Sequence, residues 1–268
     1  MTTNPPRSPV SLNDFARWKV EGRKIAALTA YDFTTARLLD EAGADFLLVG
    51  DSLGTVVQGW DSTLRVTLGQ MIYHAEMVAR AVPSAFVVAD LPFLSYQASI
   101  PQAIRSAGTI LKKTQCRAVK LEGGVRMVET IRAIVEAGIP VMGHVGLTPQ
   151  SVRGLGGYRV QRDEERLMAD ARAVAEAGAF AVVLECIPSE LATRITTTIP
   201  IPTIGIGAGA GCDGQILVTP DLLGLFQAFK PKFVRRYAEL GDAVREAASA
   251  YLADVRAGTF PSEAEGFH

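Results

Sequence analysis

Cysteine and histidine are scarce in this chain of 268 residues, with three of each. Cys116, Cys186 and Cys212 are odd in number and far apart, so they form neither a disulfide framework nor a metal-binding spacing. A reducing, cytoplasmic setting suits them. Among the histidines, His74 lies in a helical pattern and reads as structural, and His268 is the last residue. That leaves too few His and Cys side chains for a zinc site. Charge of one sign is also lacking. Lys and Arg number 27 against 28 Asp and Glu, and there is no basic face of the kind nucleic acid requires. No apolar run approaches the roughly 20 residues of a membrane-spanning helix. The opening residues MTTNPPRSPV have no apolar stretch of a secretory signal and read as an N-terminal arm. A phosphate-binding fingerprint after the first strand is missing as well, which argues against a doubly wound sheet.

Hydrophobic residues, at 48%, suffice for a large core, and they come as an alternation. Short β-branched runs at residues 25–30, 46–49, 86–89, 118–121, 140–143, 181–184 and 203–206 read as buried parallel strands. Helical spacing fills 34–42, 101–113, 126–137 and 163–177. Three helices end in the same phrase, Glu-Ala-Gly, at 41–43, 136–138 and 176–178, so one strand–helix unit is used repeatedly. This predicts an α/β fold, a single (β/α)8 TIM barrel over residues 1–268 with a short N-terminal arm and C-terminal helices. The eighth strand is expected near 222–229 or between 54 and 67. Residues 233–256 read as one or two helices, with Gly241 as a break.

The residues just after barrel strands converge on one mouth. Asp51, Asp90, Glu122, His144 and Glu185 occupy such places after five successive strands. A lone carboxylate there is most often a helix N-cap, but five ionisable groups at five strand ends point to a site. Lys120 shares a strand face with Glu122 and faces inward too. Clustered carboxylates repel one another and need a cation, and oxygen ligands suit a hard ion such as Mg²⁺. Such an ion chelates a 2-oxo acid and stabilises its enolate. Lys120 then pairs with the substrate carboxylate, and Glu185, beside Val183, Leu184 and Ile187, moves a proton. Cys186 reads as packing rather than as a nucleophile. The glycine cluster at 205–211 has two readings: a phosphate cradle, or a loop pressed close against a neighbour.

These residues sit in stretches that resemble the ketopantoate hydroxymethyltransferase (3-methyl-2-oxobutanoate hydroxymethyltransferase) family. The matching segments are LTAYD at 28–32, LVGDSLG at 48–54, VQG and DSTL at 57–64, ADLP at 89–92 and VKLEGG at 119–124. Further along they are GHVGLTPQS at 143–151, GGY at 156–158, LECIP at 184–188, IGIGAG at 204–209 and DGQIL at 213–217. The resemblance runs from about Leu12 to the last residue.

It implies a barrel of the phosphoenolpyruvate/pyruvate type in the cytoplasm, assembled as a homo-oligomer, often a decamer, with no nucleic-acid or membrane partner. The implied reaction is Mg²⁺-dependent transfer of a hydroxymethyl group from 5,10-methylenetetrahydrofolate to 3-methyl-2-oxobutanoate, giving 2-dehydropantoate. The implied metal residues are Asp51, Asp90 and Glu122, the last directly or through water. Asp51, Ser52, Asp90 and Lys120 are the implied substrate contacts, and Glu185 the catalytic proton acceptor; His144 is left without a role. Two departures stand out: Trp60 where the family has His or Tyr, and Leu64-Arg-Val-Thr67 where it has LPVT. Residues 160–166 form a trimmed loop. The alternatives are a lyase or mutase of the same barrel type, whose Lys-Lys-Cys-Gly-His loop is absent, and a barrel that binds a 2-oxo acid without turnover.

Overall fold

A computed structural model describes residues 7–267. His268 and the first six residues of the expected arm lie outside them. The chain divides into two units, residues 1–218 and 219–268.

The first unit is a closed barrel of eight parallel strands in sequential order. Helix α1 (Leu12–Glu21) precedes it, its start fixed by the Ser11 N–H donating to Asp14 Oδ2 at 2.7 Å. Then follow β1 (Ile25–Thr29), α2 (Phe33–Glu41), β2 (Phe46–Val49), the short α3 (Leu53–Val56), α4 (Leu68–Ala81) and β3 (Phe86–Asp90). Next come α5 (Ile100–Lys113), β4 (Ala118–Glu122), α6 (Val128–Glu136), β5 (Val141–Gly146), α7 (Glu164–Glu176), β6 (Ala181–Glu185), α8 (Ser189–Thr198), β7 (Thr203–Ile206) and β8 (Gly214–Leu217). Helices α2, α6 and α7 end in the repeated Glu-Ala-Gly, whose glycines at 43, 138 and 178 take φ of +97°, +82° and +92°. Only glycine turns there without cost, so the repeat is a reusable helix stop.

The eighth strand lies at Gly214–Leu217, not in either stretch expected to hold it. Its four residues include a glycine and the exposed Gln215, so the apolar run that marks the other strands is missing. Closure explains the glycine. Gly214 pairs with Ile25 of β1 and Ile204 of β7, and a Cβ there would stand 2.6 Å from the Ile25 carbonyl oxygen. The loop from β7 to β8 carries no helix. Its glycines press on α8, where side chains at 209 and 211 would collide with Ser189 and Thr193. That matches the close-approach reading of the cluster.

Strand parity sorts the interior. Phe46, Leu48, Phe86, Val88, Ala118, Met142, Ala181, Val183, Ile204 and Ile216 form one buried cluster with Phe15 and Trp18 of α1. The alternate residues Leu47, Val87, Val119, Leu121, Val182 and Leu184 pack with Ile110, Ile131, Val174 and Ile195 of the helices. Continuing the inward parity past Val88, Ala118, Met142 and Val183 reaches Asp90, then Lys120 and Glu122, then His144, then Glu185.

The second unit holds α9 (Thr219–Leu222) and α10 (Leu240–Ala257). Helix α10 begins later than the expected 233, and Gly241 lies in its first turn rather than at a break. The reason is a close backbone approach: Gly241 N–H donates to the Gly224 carbonyl at 3.2 Å, and any side chain at 241 would strike that oxygen. Among the described residues, no helix is long and apolar enough to cross a membrane.

Candidate active site

Asp51, Asp90, Lys120, Glu122 and His144 are all buried at the C-terminal ends of β2 to β5, and Glu185 is half-buried at the end of β6. They form a continuous chain of contacts. The Asp51 N–H donates to Asp90 Oδ2 at 3.0 Å, and Asp90 Oδ1 lies 2.6 Å from Lys120 Nζ. Lys120 Nζ is 3.4 Å from His144 Nδ1, and His144 Nε2 is 3.1 Å from Glu185 Oε2. Glu122 Oε1 lies 3.6 Å from His144 Nδ1. Gly50 makes this possible, because a Cβ there would meet Ser52 Oγ at 2.9 Å and Asp90 Oδ2 at 3.4 Å. Ser52 Oγ is held by the Tyr31 hydroxyl at 2.8 Å. None of Asp51, Asp90 and Glu122 caps a helix. The capping role falls to Asp32 and Asp163, which accept from the backbone of α2 and α7.

Three buried carboxylates thus face one buried ammonium. Burial, and then the Asp90 charge, push the Asp51 carboxyl up to about 7. Glu122 is raised well above the usual range by burial and then by Asp51. Burial works against the Lys120 ammonium, but Asp90, Glu122 and Asp51 outweigh it and hold the group charged. Burial and the Lys120 charge lower His144, which favours a neutral imidazole. A neutral imidazole carries one N–H. Lys120 can only donate, so Nδ1 accepts and the proton sits on Nε2, which lies 3.1 Å from Glu185 Oε2 without a formed hydrogen bond.

The surplus of buried negative charge suits a divalent cation. Among the described residues, no three His, Cys, Asp or Glu side chains converge into a ready-made cage. Mg²⁺ does not need one, because it keeps several waters and binds through one or two carboxylates. The adjoining Asp51 and Asp90 fit that habit, with Glu122 beyond them.

Two buried side chains of the site are not among the residues singled out from the sequence, although Gln150 lies in the GHVGLTPQS segment. Gln150 donates from Nε2 to Asp51 Oδ2 at 2.9 Å, and the Tyr96 hydroxyl lies 3.0 Å from the Glu122 carbonyl oxygen. Neither lies at a strand end, so strand parity does not point to them. Cys186 turns the chain after Glu185 with φ of +48°, and burial pushes its thiol up to about 12, which keeps it protonated. His74 is structural, its Nδ1 lying 2.6 Å from the Tyr31 carbonyl oxygen. The two departures at 60 and 65 meet: the Arg65 guanidinium stacks 4.2 Å from the centre of the Trp60 ring.

Comparison with known proteins follows the same lines. The family model of ketopantoate hydroxymethyltransferase matches residues 9–263. The 3-methyl-2-oxobutanoate hydroxymethyltransferase of Moorella thermoacetica is 56% identical, covering 97% of this chain and 98% of the relative. That of Rhodopirellula baltica is 54% identical, covering 97% of each. Among solved structures, a 2,3-dimethylmalate lyase of the PEP mutase/isocitrate lyase superfamily is 22% identical and superposes with a TM-score of 0.60, over 96% of this chain and 91% of that one. A phosphonopyruvate hydrolase in complex with oxalate and Mg²⁺ is 13% identical, with a TM-score of 0.62 over 95% and 92%. At those identities the two structures bear on the fold alone.

Proposed function

The chain belongs to the ketopantoate hydroxymethyltransferase family, and from that premise we propose how it carries out hydroxymethyl transfer to 3-methyl-2-oxobutanoate in pantothenate biosynthesis. The donor in this reading is 5,10-methylenetetrahydrofolate and the product 2-dehydropantoate. The donor's methylene carbon forms the new carbon–carbon bond as its bonds to the folate nitrogens break; water supplies the hydroxyl, and tetrahydrofolate leaves. The observation that carries the mechanism is the buried cluster of Asp51, Asp90 and Glu122 around Lys120, with Glu185 beside a neutral His144.

Asp51, Asp90 and Glu122 would hold Mg²⁺, the last directly or through water. Bound there, the ion would polarise the keto oxygen of the 2-oxo acid and stabilise negative charge on it. Asp51 and Ser52 line the substrate position from the end of β2. Lys120 has three N–H donors; Asp90 and His144 occupy two, and the third pairs with the substrate carboxylate. Glu185 takes the proton from C3, leaving the electron pair for the new carbon–carbon bond. His144 Nε2 lies 3.1 Å from Glu185 Oε2, and in this reading the other carboxylate oxygen faces C3.

The test is a turnover assay with 3-methyl-2-oxobutanoate, methylenetetrahydrofolate and Mg²⁺; no dehydropantoate with any divalent metal would sink the proposal. We read the enzyme as a cytoplasmic homo-oligomer. Val244, Tyr251, Leu252 and Val255 of α10 are exposed apolar side chains that support assembly. Light scattering that returned a monomer of 28.6 kDa would remove that part.

A further inference from the structure

Gln150 lies on the turn Pro149–Ser151 beyond β5 and is 6% exposed, yet every polar atom of its side chain is engaged. Nε2 donates to the Leu91 carbonyl oxygen at 3.0 Å and to Asp51 Oδ2 at 2.9 Å. Oε1 lies 2.9 Å from both the Tyr96 hydroxyl and Gln97 Nε2. The Gln150 backbone N–H donates to Glu122 Oε2 at 2.9 Å. The Tyr96 hydroxyl in turn accepts from the Glu122 N–H at 3.1 Å.

Chemistry sets the orientation of this amide. A carbonyl oxygen only accepts, so the NH₂ must face Leu91, and the amide cannot flip. Its second N–H is thereby committed to Asp51. No polar atom of the side chain is left over for a substrate. The residue therefore joins the ends of β2, β3, β4 and β5 without reaching the reacting atoms.

We infer that Gln150 is a positioning residue that sets the orientation of the Asp51 and Glu122 carboxylates toward a divalent cation, an inference that rests on the reading of those two as metal-site residues. It holds Oδ2 of one and Oε2 of the other, which leaves the opposite oxygen of each carboxylate for the ion. Partners that orient metal ligands are worth about 10- to 100-fold in metal affinity.

The experiment is a Mn²⁺ titration of the full chain without substrate, followed by the electron paramagnetic resonance signal of the free ion. Gln150→Met keeps the length of the side chain and removes its donors and acceptor. We expect Mn²⁺ binding weakened by about 10- to 100-fold. The metal concentration that half-activates turnover should rise by the same factor. Loss of packing alone would move the metal-free melting temperature and leave the Mn²⁺ affinity in place. Should Gln150→Met fail to fold, Tyr96→Phe removes the hydroxyl that meets Oε1 and the Glu122 backbone, and carries the test with a loss of the same sign. Asp51→Asn serves as the reference. If it weakens Mn²⁺ binding while the folded Gln150 or Tyr96 variant binds like the parent, the inference is overturned and the metal-site reading stands. If Asp51→Asn also binds like the parent, the metal-site reading falls and the inference falls with it.

Discussion

At the N-terminal ends of its strands the barrel interior is phenyl ring against phenyl ring. Phe15 of α1 lies 5.8 Å from Phe46, 5.2 Å from Phe86 and 5.1 Å from Phe180, centre to centre. A few residues along the same strands the interior is Asp90, Lys120, Glu122 and His144, equally buried. Both ends are closely packed, but only one lowers the free energy of the fold by being so. Burying aromatic rings removes apolar area from water, a gain of about 25 cal/mol per Å². Burying three carboxylates beside one ammonium costs desolvation that their attraction does not fully return. The barrel thus carries a stabilising floor beneath a mouth held in an electrostatically unfavourable state, in the proposed reading for the sake of a cation and a proton acceptor.

Substitutions should break the two ends in opposite ways. The largest effect is expected for Glu185→Gln at the mouth. It should cut deuterium exchange at C3 of 3-methyl-2-oxobutanoate by about 10²- to 10⁴-fold, the usual worth of a general base, with the melting temperature little changed. Exchange at the parent rate would remove Glu185 from its role. At the floor, Phe15→Ala should cost about 3–5 kcal/mol of stability in denaturant unfolding, with turnover per folded molecule retained. A stability loss below about 1 kcal/mol would mean the floor relaxes around the gap.

Charge at the mouth sharpens the contrast through pH. The Asp51 carboxyl is carried from 3.8 up to about 7, so the folded state binds a proton more tightly than the unfolded chain. Stability from that group is complete below the unfolded value near 3.8 and is lost as pH rises through about 7. The loss is up to about 4 kcal/mol. Asp51→Asn should therefore raise the metal-free melting temperature at pH 8 and leave it unmoved at acid pH. An equal shift at both pH values would show that the carboxyl is not held protonated. The same proton must leave before a cation binds, so Mn²⁺ affinity should fall by about tenfold per pH unit below 7. The smallest effect is expected outside both ends. A double-mutant cycle on Trp60→Ala and Arg65→Ala should return a coupling of about 0.5–1 kcal/mol in stability; zero coupling would make the two departures independent.

Most of the barrel was legible because parallel strands buried on both faces announce themselves as short apolar runs. Gly214–Leu217 escaped because half its residues are glycine and glutamine. The site was legible where its residues extend a strand by the inward parity, as Asp90, Lys120, Glu122, His144 and Glu185 do. Asp51 breaks that parity, since Gly50 holds the inward position, and only its place just after an apolar run marked it. Gln150 and Tyr96 lie on turns, where no period operates, and nothing local ties either to a carboxylate.

The sequence by itself determined the order of strands and helices, the glycine stops, and which ionisable residues stand at the strand ends. These follow from steric and hydrophobic rules between near neighbours. Only the tertiary structure decided which strand closes the barrel, which nitrogen of His144 carries the proton, and that Gln150 reaches Asp51 across 99 positions of chain. Those outcomes depend on distances between segments far apart in sequence, and such distances take definite values only once the eight strands have closed on one another.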